Sequence, residues 1–169
     1  MDVKDLILSR RSIRKYKEDL VETEKINLLL EAACSAPSAC NKKPWEFYVV
    51  KNEKIKNELR KTTLFTNKNG KVAIVVCGNL KESLPKDMSE YWIQDCSAAV
   101  MSILLRVTDL NLGAVWCGLY PQKRGVERTR KILSLDEHIV PMALIWIGHK
   151  AEDPAPRDQY DQDKVHIIE

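Results

Sequence analysis

At 169 residues, with 44% hydrophobic and 30% charged side chains, the chain suits one globular domain that buries a sizeable core without a disulfide or metal. A net charge of +3 is too mild for the concentrated basic face of a nucleic-acid binder. The longest uncharged apolar run, Cys96 to Leu105, is about half of a membrane span, which excludes a spanning helix. The five cysteines form no CxxC pair, and several lie inside apolar runs, the pattern of buried free thiols in a reducing compartment. The N-terminus places an amphipathic run before its cations, the reverse of a secretory signal, so the protein is expected in the cytoplasm.

Asp2 is placed to cap a short first helix whose apolar face is Val3, Leu6 and Ile7. A second helix is predicted from near Thr23, with Ile26, Leu29, Leu30 and Ala33 at helical spacing, until Pro37 stops it. Glu46 to Val50 reads as a strand and Glu53 to Lys61 as a short exposed helix. Lys71 to Cys77 is apolar after its first residue, the pattern of a strand covered on both faces. Ser89 to Leu110 is the longest predicted helix, without charge between Asp95 and Arg106. It is apolar on more than one side, so one face should pack on its own sheet and another should meet a partner subunit. Asn111-Leu112-Gly113 supplies a glycine to end it. A strand over Ala114 to Leu119, a helix over Gly125 to Leu133 and a buried strand over Pro141 to Ile147 follow. From Gly148 the composition turns polar and proline-containing, closing on Val165, Ile167 and Ile168, which alternate like a strand. A tail with an apolar end but no core of its own fits an arm laid on another subunit.

Arg10, Arg11, Ser12 and Arg14 form the densest cationic cluster, and guanidiniums beside a hydroxyl suit a phosphate, although a local run of charge usually just faces solvent. The segment from Ala36 to Trp45, with two prolines and small residues, is a tight loop in which Ser38 and Asn41 can bond a polar ring edge. Gly113 and Gly118 have the spacing of a phosphate loop, but Leu119 stands where Lys is required, and no GxG dinucleotide fingerprint occurs. Gly118 in an apolar segment instead lets backbone approach a flat aromatic ligand. His138, His149 and His166 lack metal-ligand spacing, GxSxG is absent and no Cys has an evident His partner. No catalytic side chain and no metal site are assigned. Redox chemistry by a bound cofactor needs neither.

RRSIRKY, SAPSACNKKPWEF, LNLGAVWCGLYP and IGHKAEDPAPRDQYDQDKVH, in this order over essentially the whole chain, resemble the nitroreductase family. The resemblance implies one FMN-binding α+β domain over residues 1–169, a three-layer α/β/α sandwich with a mixed, largely antiparallel sheet. Residues 148–169 would be a C-terminal arm exchanged in a homodimer that holds FMN at the subunit interface. By position, Arg10, Arg11, Ser12 and Arg14 match the group on the FMN phosphate and ribityl chain. Pro37, Ser38, Ala39 and Asn41 match the loop that the other subunit lays against the isoalloxazine. Cys117 and Gly118 match the strand-end backbone facing the ring near N5, and Arg157 and Lys150 match the C-terminal basic residues that reach the phosphate. Lys43 departs from the pattern, since Gln commonly precedes Pro-Trp. The implied activity is reduction of small electrophilic acceptors (nitroaromatics, quinones, enones) by NADH or NADPH in a ping-pong mechanism. The alternative is a flavin-binding regulatory or sensing protein with little turnover. The chain is short of the extra helices of larger members, which leaves Phe65, Tyr91 and Trp92 as the aromatic candidates for covering a substrate.

Overall fold

Two strands with unbroken apolar sequence make the centre of the molecule. A computed structural model describes residues 2–155 and 157–169. The elements are α1 (Val3–Ser9), α2 (Thr23–Cys34), β1 (Trp45–Val50), α3 (Glu53–Arg60), β2 (Val72–Asn79), α4 (Tyr91–Asp109), β3 (Leu112–Gly118), α5 (Lys123–Leu133) and β4 (Ile139–His149). The sheet order is β1-β2-β4-β3 with three antiparallel ladders, and an isolated bridge between Ser12 and Ala114 adds a parallel component.

Alternation along the central strands divides two cores. Ile74, Val76, Ile145 and Ile147 point to one face, where they meet Leu29 of α2 and Cys96, Val100 and Ile103 of α4. Val75, Leu144 and Trp146 point to the other, with Leu59 of α3 and Leu119. Helices on both faces explain why β2 and β4 carry no polar alternation. Burial of each Leu- or Ile-sized side chain contributes about 1.5–3 kcal/mol.

Local chemistry sets the ends. The Asp2 carboxylate accepts from Val3 N at 2.7 Å, and the Asn52 side chain accepts from Ile55 N at 3.2 Å. Beyond α4 the left-handed residue is Asn111 (φ 54°), not the expected glycine. Gly113 is instead part of β3, paired with Gly148, and a Cβ there would lie 2.6 Å from Ile13. β4 is longer than predicted and contains Pro141, which has no N–H for the ladder. The register shifts at that point: Val76 pairs with Ala143 and Cys77 with Pro141. Met142 is the extra residue, and its carbonyl accepts from Leu119 N (3.0 Å) and Tyr120 N (3.1 Å). β3 ends beside this bulge, at Gly118.

Trp92 is a core residue, packed edge-on against Tyr120 at 5.0 Å between centroids and lying over Gly78. That removes it as substrate cover, whereas Tyr91 and Phe65 are exposed. Cys77, Cys96 and Cys117 are buried, while Cys34 and Cys40 are exposed. β4 carries Gly148 and His149, and the chain leaves the sheet from Lys150. Val165, Ile167 and Ile168 form no strand within the chain and stay exposed, Ile168 at 95%. α1 buries none of its residues. Among the described residues no helix is long and apolar enough to cross a membrane.

Candidate functional site

The segment from Arg10 to Lys17 is a strap across the starting end of β3 and the finishing end of β4. Ile13 N donates to Ala114 O (2.8 Å), Lys17 N to His149 O (2.8 Å), and Ala151 N to Lys15 O (3.0 Å). Ile13 and Tyr16 sit over Gly113 and Gly148, which have no Cβ to keep the strap off the sheet. The Tyr16 hydroxyl donates to the carbonyl of Ile13 at 2.5 Å, and burial pushes its phenol far above the usual range, so it is neutral and structural.

With Ile13 and Tyr16 turned inward, the cations of the strap face outward or along its edge. The Arg11 guanidinium donates to the carbonyls of Leu8 (2.7 Å), Arg10 (2.7 Å) and Ala155 (3.2 Å). Its second terminal nitrogen, Nη2, is buried with no hydrogen-bond partner among the described residues. Lys150, paired with Asp153 at 2.9 Å, lines the same small pocket as Arg11. Ser12 lies alongside Ala114 and Arg10 is partly buried, whereas Arg14 is exposed. Glu152 accepts from the backbone N–H groups of Arg14 (2.5 Å) and Lys15 (3.1 Å), pinning the tail to the strap. Arg157 is exposed on the tail, with no side-chain contact joining it to this group among the described residues.

Cys117 and Gly118 finish β3. The Cys117 thiol is buried and donates to the Phe65 carbonyl at 3.1 Å. Burial pushes its pKa up to about 11, against the opposing charges of Lys68 and Arg14. A side chain at Gly118 would meet nothing within 4 Å, so the backbone there borders open space. The charges of Arg14 and Lys68 both act on Cys117, and Lys68 is not among the residues singled out from the sequence.

Pro37, Ser38, Ala39 and Asn41 lie elsewhere in the chain. Their loop is held by Ala39 N donating to Asp95 Oδ1 (2.8 Å) and Lys43 N donating to Ser38 Oγ (2.9 Å). Cys40, Asn41 and Lys43 take φ of 49°, 54° and 50°, leaving Asn41 exposed on a tightly wound turn. The loop leads into β1, while the arginine strap lies on β3 at the opposite edge, three strand spacings or about 14 Å away. Along α4, the loop is fixed at Asp95 and the Arg11 pocket at Leu104 to Thr108, about 14–20 Å further on at 1.5 Å per residue. A single chain therefore keeps the two halves of the expected site apart.

Asp95 was also missed. It is 5% exposed on α4, and the available signal was one acid set in an otherwise apolar helical stripe. Among the described residues no three His, Cys, Asp or Glu converge as metal ligands.

The model of the nitroreductase family matches residues 7–74 and 66–149. A protein of Methanothermobacter thermautotrophicus, whose name pairs NADH dehydrogenase with NAD(P)H nitroreductase, is 41% identical over 99% of this chain and 87% of its own. A solved structure from Parabacteroides distasonis with the same pair of activities in its name superposes with a TM-score of 0.92 at 37% identity, covering 97% of this chain and 96% of its own. A Desulfovibrio desulfuricans structure, described as a nitroreductase in complex with FMN, has a TM-score of 0.84 at 28% identity and covers 99% and 96%.

Proposed function

The chain belongs to the nitroreductase family, an FMN- and NAD(P)H-dependent class of oxidoreductases, and on that premise we propose that it works as a cytoplasmic homodimer reducing small electrophilic acceptors. The acceptors are nitroaromatics, quinones or enones, taken in a ping-pong mechanism. The observation that carries the reading is the orphaned Arg11 Nη2. A buried donor without an acceptor costs about 1–3 kcal/mol, more for a charged group, and a phosphate oxygen removes that cost. Lys150 lines the same pocket, so the residues present fit the phosphate of FMN.

FMN supplies reversible hydride acceptance at ring N5 when bound. The chain supplies position. Arg11 and Lys150, with Arg10 and Ser12, anchor the phosphate end, and Arg157 joins them from the tail. Arg14 and Lys68 offer positive charge beside Cys117, where the polar edge of a ring gains from it. Gly118 lets the backbone approach the ring face. The separation within one chain supports assigning Pro37, Ser38, Ala39 and Asn41 to the ring held by the other subunit. No side chain is assigned a proton transfer in this reading, and the Cys117 thiol, pushed up to about 11 by burial, stays neutral at physiological pH and faces a carbonyl. An open ring face that nicotinamide and acceptor occupy in turn needs no separate dinucleotide fold.

The test is anaerobic. Protein loaded with FMN should be yellow, bleach with NADH or NADPH, and recover its colour with a quinone or nitroaromatic. Failure to retain FMN overturns the assignment. Retention without bleaching favours the sensing role.

A further inference from the structure

A wide groove of 1160 Å³ runs between α3, the segment 61–67 and the start of α5. Ligand sites for small molecules usually enclose about 300–1,000 Å³, so this groove has room for a dinucleotide. Five cations line it (Lys54, Arg60, Lys61, Arg124 and Arg128) against one carboxylate, Glu58. Some are occupied: Lys61 pairs with Glu58 at 2.8 Å, Arg60 Nε donates to Lys68 O at 2.9 Å, and Arg128 Nη1 donates to Lys61 O at 3.0 Å. Lys54 and Arg124 have no side-chain hydrogen bond or ion pair among the described residues.

The surroundings favour an anion as well. α5 has no acid in its first turn and begins Lys123-Arg124, cations where the helix dipole disfavours them, and Gln122 gives it no side-chain cap. The groove opens beside the proposed ring site, because Phe65 lines it and its carbonyl accepts the Cys117 thiol proton. Gln122, four residues after Gly118, lines it too. The Phe65 ring is 64% exposed and offers an aromatic face to a base.

We propose that this groove binds the phosphorylated adenosine half of the electron donor and selects NADPH over NADH. The proposal rests on the flavin reading above and deepens it. A ligand whose nicotinamide lies near Gly118 extends along Phe65 and brings its adenosine 2′-phosphate to Lys54 and Arg124. That phosphate carries roughly −1.5 to −2 charge at neutral pH and is the whole difference between the two donors.

The experiment uses the full chain with FMN added. Calorimetric titration with 2′-phospho-ADP-ribose and with ADP-ribose should show the first binding at least about tenfold more tightly, with the margin shrinking as salt is raised. A Lys54→Ala/Arg124→Ala protein should abolish that margin and raise the KM for NADPH about tenfold more than the KM for NADH. Both positions are exposed, so folding is not at stake, and Arg124→Glu should extend the same trend. Equal affinity for the two ADP-riboses, no binding of either, or KM values that rise together would overturn the groove assignment. A protein that takes up no FMN overturns the flavin reading separately, since the titration reads the groove with or without flavin.

Discussion

Arg11 clamps the strap to the tail through its bonds to Leu8, Arg10 and Ala155, and under the proposed function the nitrogen left over meets the FMN phosphate. Arg11→Ala should weaken FMN by about 1.5–3 kcal/mol, one to two decades, and riboflavin far less, read by flavin fluorescence. Arg14, whose charge reaches Cys117, should on replacement by Ala affect both flavins alike. A selective loss of FMN from the Arg14 variant alone would reverse the two roles. The thiols make a different prediction. Burial pushes Cys117 up to about 11 and Cys96 up to about 12 from an ordinary 9.0. Unfolding lets these thiols ionise first, so their contribution to stability is complete below pH 9 and is lost as pH rises towards 11–12. Melting temperature should fall across that interval, and Cys96→Ala should flatten the fall. Cys117→Ala should keep most of the steady-state rate. A loss of more than about two decades with FMN retained would put the thiol in the chemistry.

At the scale of elements, α4 supports both halves of the proposed site. Its buried Asp95 holds the loop at Ala39, and its last turns line the Arg11 pocket. Asp95→Ala leaves the Ala39 N–H without its acceptor, a cost of about 1–3 kcal/mol where the group stays buried. That protein should melt lower and retain FMN poorly, whereas Asp95→Asn, which keeps a carbonyl acceptor, should recover most of both. Equal behaviour of the two variants would show that charge, not the bond, matters. The outer side of α4 also bears on assembly: Met101 is exposed and Ala98 and Leu105 are half-buried, so one chain does not cover the helix.

For the molecule as a whole, the uncovered surface is apolar at both termini. α1 exposes Val3, Ile7 and Leu8, and the tail exposes Val165, Ile167 and Ile168. Several side chains each worth about 1.5–3 kcal/mol when buried are a large sum beside typical domain stabilities of 5–15 kcal/mol. A dimer that covers them should make melting depend on protein concentration. Deleting residues 158–169 should lower dimer stability and FMN retention together in sedimentation and fluorescence. A folded, FMN-loaded monomer at micromolar concentration would refute a site shared between subunits.

Most elements were legible because their periodicity is local: α2, α3 and β1 fall within a residue or two of expectation, and β2 reveals its double-sided burial by composition alone. The arginine cluster, the Pro37–Asn41 loop and the Cys117-Gly118 strand end could be named from residue types and order. Their placement could not. Ile13 needs Gly113 and Tyr16 needs Gly148 beneath them, contacts between residues about a hundred or more positions apart in sequence that no local pattern encodes. Lys68 enters only because the turn carrying Phe65 folds over Cys117, and Asp95 only because α4 passes under a distant loop. Pro141 opens the strand expected from sequence, whereas the structure sets it inside β4, with a bulge at Met142 beside it. The sequence by itself determined which residues are apolar, cationic or able to turn, since these are properties of single side chains and their near neighbours. Only the tertiary structure decided that the strap and the loop stand at opposite edges of the sheet, because strand order is set by pairing across the whole chain.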